Sequence, residues 1–139
     1  MRRTTLLICL AALLLPLPSL AEAQLLLDPA KAPMTLKGAW LHHRTGARND
    51  IVIKIEAIQP DGTFTGRLDF YNSDPKAACK AMNEPLQEGK VTDTMLRVKA
   101  KAMNPNECPN FGLTFRTGGE KFLEGKTARN DKIWLDAPK

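Results

Sequence analysis

From residue 36 onward, apolar and polar side chains alternate with a period of two, and turn residues break the run at short intervals. That period belongs to strands with one buried face. The clearest case is 63–71, where Phe64, Gly66, Leu68 and Phe70 fall on one face and Thr63, Thr65, Arg67, Asp69 and Tyr71 on the other. Before it, Ile51, Ile53 and Ile55 alternate with Val52, Lys54 and Glu56, a β-branched series suited to a pleated surface. Pro60-Asp61-Gly62 lies between. There proline presets φ and glycine accepts the positive φ that closes a turn. Segments 51–58 and 63–71 are therefore expected to pair as an antiparallel hairpin.

Other strands are expected at 36–42 and at 94–101, where Leu96, Val98 and Ala100 oppose Arg97, Lys99 and Lys101. Further candidates are 111–115 through Phe111, Leu113 and Phe115, then 121–126 and 133–135. Segment 86–90 promises no more than a short strand. Residues 72–84 lose the alternation: 72–75 opens a loop, and 76–82 suits one helical turn carrying Cys79. Ala-Arg-Asn-Asp occurs at 47–50 and again at 128–131, each time before an isoleucine-containing strand, which is repeated turn chemistry. No segment carries a long 3.6-residue period. Six to eight short strands joined by turns indicate an all-β fold, a small antiparallel meander β-barrel whose closure removes exposed sheet edges.

The first residues follow a different logic. Arg2 and Arg3, an apolar run over 6–15 and Ala21-Glu22-Ala23 have the order of a secretory leader. The run falls short of the roughly 20 residues needed to span a bilayer. We expect a signal peptide at 1–23, an extended lead-in at 24–35 containing Pro29 and Pro33, and a single barrel domain at 36–139. The mature chain would be periplasmic or secreted, with no transmembrane segment. Cys9 leaves with the leader, so Cys79 and Cys108 remain as a pair. In an oxidising compartment they are expected as a disulfide. A two-thiolate metal site or a redox pair lacks both a CxxC spacing and a histidine nearby in sequence.

The net charge of +5 on a quarter-charged chain mainly supplies solubility. Arg97, Lys99 and Lys101 form an outward stripe suited to weak contact with an anionic surface. No aromatic residues interleave with it, so nucleic-acid binding is not supported. Neither G-x-S-x-G nor H-E-x-x-H occurs, and no Gly-rich phosphate loop precedes a helix. Glu56, Asp69 and Glu124 are the carboxylates from which a small hydrolase would need its pair. His42 and His43 are the only histidines. Adjacent strand residues point to opposite faces, so the two are not expected to chelate one metal together, and one is expected at the barrel mouth and one toward water. A metal role would need one of them to combine with an acid or thioether elsewhere in the chain. We assign no catalytic residue, metal or cofactor, and expect Trp40 to serve as core.

Five stretches fall in a recognisable order: 36–40 (LKGAW), 61–66 (DGTFTG), 109–115 (PNFGLTF), 122–125 (FLEG) and 133–135 (IWL). Together they resemble the avidin and streptavidin family, which implies an eight-stranded up-and-down barrel with a ligand site at its mouth. On that resemblance the site would be lined by His42, Thr45, Leu68, Phe70 and Trp134. Trp134 matches a tryptophan that packs on biotin, and Thr45 lies near a hydroxyl ligand. His42, however, replaces an asparagine, and Leu68 and Phe70 replace a tyrosine and a hydroxyl residue. Such losses leave buried ureido atoms unpaired, so tight biotin binding is not implied. The expected function is a non-enzymatic binding module. The alternative is an interaction or inhibitor protein working through the disulfide-pinned loop 72–84.

Overall fold

The computed structural model describes residues 24–72, 79–104, 106 and 108–138. The expected leader at 1–23 and residues 73–78 of the expected 72–84 loop, including the start of the helical turn expected at 76–82, lie outside the described residues. Eight antiparallel strands form a closed barrel in sequence order: β1 (Met34–Leu41), β2 (Arg48–Ile58), β3 (Phe64–Asn72), β4 (Ala81–Val91), β5 (Met95–Ala100), β6 (Phe111–Arg116), β7 (Leu123–Lys126) and β8 (Lys132–Leu135). The seam is the β1–β8 pairing, with Gly38 opposite Leu135 and Trp40 opposite Ile133. Gly38 has to be glycine for this closure, because a Cβ there would collide with the Trp134 carbonyl.

The β2–β3 hairpin has the expected register, with Ile51 opposite Phe70 and Ile53 opposite Leu68. Its turn is held by Asp61, which accepts hydrogen bonds from the Thr63 N–H (2.8 Å) and hydroxyl (2.6 Å). Gly62 supplies φ +82°. β4 departs from expectation, running eleven residues from Ala81 where a helical turn and a short strand were expected. Asn83, at φ 54°, sits in the irregularity between Leu68 and Phe70 of β3, and Pro85 continues the strand opposite Arg67. Asp69, on the outer wall, secures this bulge. Its carboxylate accepts the Asn83 N–H at 2.5 Å and pairs with the Lys54 ammonium at 2.9 Å. Burial pushes the Asp69 carboxyl up, but the Lys54 and Asn83 contacts outweigh it and leave the group below its ordinary range.

All eight strands contribute to one continuous core, which includes Leu36, Ile53, Leu68, Val91, Val98, Leu113, Leu123 and Leu135. An eight-stranded barrel is just wide enough for side chains to fill it. The lower end, where β2–β3, β4–β5 and β6–β7 connect, is sealed by the lead-in. Leu27 is buried, Leu25 and Leu26 pack against the core, and the Leu26 N–H donates to the Thr92 carbonyl at 2.9 Å. The lead-in is otherwise irregular, apart from a 3-10 turn at Pro29–Lys31. Cys79 and Cys108 form the expected disulfide, Cα atoms 5.2 Å apart. It ties the β3–β4 and β5–β6 connections at the upper end, where the Met103 N–H also donates to the Lys80 carbonyl. Among the described residues no helix is long and apolar enough to cross a membrane.

Candidate functional site

The upper rim is built by the connections β1–β2, β3–β4, β5–β6 and β7–β8, and its polar groups gather around Asp131. This residue ends the β7–β8 turn, where its N–H donates to the Thr127 hydroxyl at 3.1 Å. Its side chain is 2% exposed. A buried carboxylate must have its oxygens satisfied. Oδ2 accepts from the Trp40 indole N–H at 3.0 Å, while Oδ1 accepts from the His43 backbone N–H at 3.0 Å and lies 2.6 Å from His43 Nδ1. Burial pushes the Asp131 carboxyl up. The His43 backbone, the His43 ring and the Trp40 indole outweigh that effect and hold it at about 2.

Trp40 connects this cluster to the barrel interior. Its ring meets Phe70 edge-on at 5.3 Å, and Phe70 in turn packs on Phe111 at 4.9 Å. The three aromatics roof the core beneath the rim. Asn49, paired with Trp40 across β1 and β2, has a buried Oδ1 without a hydrogen-bond partner among the described residues.

The two histidines do not part to opposite faces. β1 ends at Leu41, and residues 43–45 form a turn, so the strand alternation that separates neighbours no longer applies. The His42 and His43 rings stack, with centroids 5.2 Å apart and planes at 22°. One potential ligand atom from each of His42, His43 and Asp131 lies within 4.8 Å of the others. The Thr45 N–H donates to His42 Nδ1 at 3.3 Å, and the Thr45 hydroxyl stands 3.2 Å from the same atom. Exposed Arg44 donates from Nε to His43 Nε2 at 3.3 Å.

The five residues expected to line a mouth pocket are not brought together. His42 and Thr45 share the rim turn, but Leu68 and Phe70 are buried in the core at 0% and 4% exposure. Trp134 stands on the outer wall, because Ile133 and Leu135 on either side of it point inward. There it lies under the Arg48 guanidinium at 5.5 Å. The open depressions are also outside the barrel. One of about 500 Å³ runs along β6–β8 near Gly118, Gly119 and Lys132. Another of about 960 Å³ lies along β1–β3 beside Lys37, Arg67 and Asp136.

The carboxylates singled out for hydrolysis are dispersed. Asp69 is opposite Val52, four residues along β2 from Glu56, which at strand rise is about 13 Å. Glu56 pairs with Arg67, and Glu124 accepts the Lys121 N–H at 2.9 Å. The basic stripe is partly neutralised, since Arg97 and Lys99 both pair with Glu88, at 2.5 and 2.7 Å. Of this rim cluster, sequence reasoning left out Asp131, while it considered His43 only as half of a histidine pair and Trp40 only as core. Comparison with protein-family models, curated proteins and solved structures gives no match.

Proposed function

We propose that the chain is an exported, non-enzymatic binding module that meets its ligand or partner at the upper rim of a filled barrel. The observation that carries this is a polarity between the two ends. Core side chains occupy the interior and Leu27 seals the lower end, while the upper rim presents His42, His43 and buried Asp131. The same rim exposes Tyr71, Met82 and Met103 at 43%, 55% and 53%. Exposed aromatic and methionine side chains are favoured at recognition surfaces. The Cys79–Cys108 disulfide, together with the leader pattern of 1–23, supports export. The likeness to avidins enters here as one of architecture, not of ligand. Because the disulfide-tied connections belong to this rim, a protein partner would use the same face.

The test is a native mass spectrum of the protein purified from its own host, repeated for rim and outer-wall variants. We expect a stoichiometric adduct that survives Trp134→Ala. It should be lost in His43→Ala or in the combined Tyr71→Ser, Met82→Ser, Met103→Ser variant. An adduct indifferent to every rim substitution would overturn the assignment.

A further inference from the structure

We propose that His42 and His43 form a site for a late first-row divalent cation, of the Zn2+, Ni2+ and Cu2+ class, with Asp131 orienting His43 from behind. Such a site rests on the rim reading and deepens it by naming a ligand chemistry. Two stacked imidazoles on one turn, with a buried carboxylate behind, are a donor set for these ions and not for the oxygen-seeking Mg2+ or Ca2+.

The hydrogen bonds fix which nitrogen is available. A carboxylate can only accept, so His43 Nδ1, 2.6 Å from Asp131 Oδ1, carries the proton. In the neutral ring Nε2 then keeps its lone pair. Arg44 marks that lone pair independently by donating to Nε2. Metal-binding histidines commonly donate their second N–H to a carboxylate, which sets tautomer and ring orientation. Asp131 is itself held by the Trp40 indole and the His43 backbone, so the orienting group is fixed from two elements. His42 Nδ1 accepts the Thr45 N–H, so the neutral ring carries its proton on Nε2 in this structure. It becomes the second donor by giving up that hydrogen bond, with the proton moving to Nδ1, where the Thr45 hydroxyl can accept it, and Nε2 left bare. Nitrogen donors at about 2.0–2.1 Å in a tetrahedral shell stand roughly 3.3 Å apart. One donor atom from each of His42, His43 and Asp131 already lies within 4.8 Å of the others, and both histidines stand beyond the end of β1, where their side chains are partly exposed. The remaining coordination positions fall to water or to a donor group of the bound partner. Arg44 places a competing cation beside Nε2 and must swing aside.

The experiment uses the folded, disulfide-bonded protein freed of metal by chelation. It is titrated with Zn2+ and Cu2+ by calorimetry, and its Cu2+ form is examined by electron paramagnetic resonance. We expect one equivalent bound, with hyperfine coupling to two imidazole nitrogens. His42→Ala and His43→Ala should each weaken binding at least tenfold. Asp131→Asn should weaken it about 10–100-fold, because a neutral amide is a weaker acceptor for Nδ1–H than a carboxylate and can turn its NH2 toward Nδ1, so the tautomer with Nε2 bare is no longer enforced. Arg44→Ala should tighten it. His42 and Arg44 lie outside the core, so their variants keep the test decisive even where Asp131→Asn fails to fold. Binding that survives both histidine substitutions, or no saturable binding at all, would overturn the site. If no ion binds yet the rim variants still abolish the native adduct, the cation site alone is wrong; if the ion binds as expected while that adduct ignores the rim, the broader function is wrong instead.

Discussion

Replacing Trp40 by Phe removes one hydrogen atom of consequence, the indole N–H that Asp131 Oδ2 accepts at 3.0 Å. The aromatic contact with Phe70 is largely retained, so the change isolates the polar link better than alanine would. A hydrogen bond to a charged group contributes about 1.5–3 kcal/mol. The smaller ring adds about 1 kcal/mol of lost packing, giving a total of about 2.5–4 kcal/mol. In a domain of this size that lowers the melting temperature by roughly 4 °C per kcal/mol. The pH dependence separates the two parts. The folded Asp131 carboxyl, held at about 2, lies below its unfolded range, so its stabilisation is fully present above about pH 4 and is lost as pH falls toward 2. In Trp40→Phe the folded carboxyl rises. The gap between wild type and variant should therefore shrink between pH 4 and pH 2, leaving only the packing part. Urea unfolding across this range, with chelator present, reads the difference. A gap under about 0.5 kcal/mol at pH 7, or one that does not change with pH, would refute the reasoning.

Three further expectations concern the scaffold. Cys79→Ser with Cys108→Ser opens a loop of 29 residues and should cost about 3–4 kcal/mol on the chain-entropy model, measured by denaturant unfolding. Gly38→Ala forces a Cβ against the Trp134 carbonyl and should cost about 1–3 kcal/mol, with hydrogen-exchange protection lost first along the β1–β8 seam. Leu68→Ala, in the core, should cost about 2–5 kcal/mol, whereas Trp134→Ala, on the outer wall, should cost less than about 1 kcal/mol. Equal losses in the thermal unfolding of that last pair would mean that Trp134 is buried.

Where burial follows period two, the strands were legible from residue type alone: the β2–β3 hairpin, β5 and β6 follow the expected alternation. β4 was not, because Asn83 takes a positive φ in a bulge and Pro85 sits inside the strand, two features that mimic a loop. Trp134 shows the opposite failure. Alternation with Ile133 and Leu135 already pointed it outward, but the family resemblance drew it toward a pocket. The His43–Asp131 contact spans 88 residues and leaves no local trace. Asp131 was visible only as the last residue of a repeated turn, and a buried carboxylate looks like any turn aspartate until the chain closes around it. The histidine pair escapes the strand rule for a smaller reason: β1 ends at Leu41, one residue sooner than expected.

The dyad behind the rim can be observed in the metal-free protein by long-range proton–nitrogen NMR of its two imidazoles near neutral pH. We expect His43 to hold a single tautomer, protonated at Nδ1 and bare at Nε2, and to lose that preference in Asp131→Asn. A proton resident on Nε2, or a ring averaging both forms as free histidine does, would contradict it.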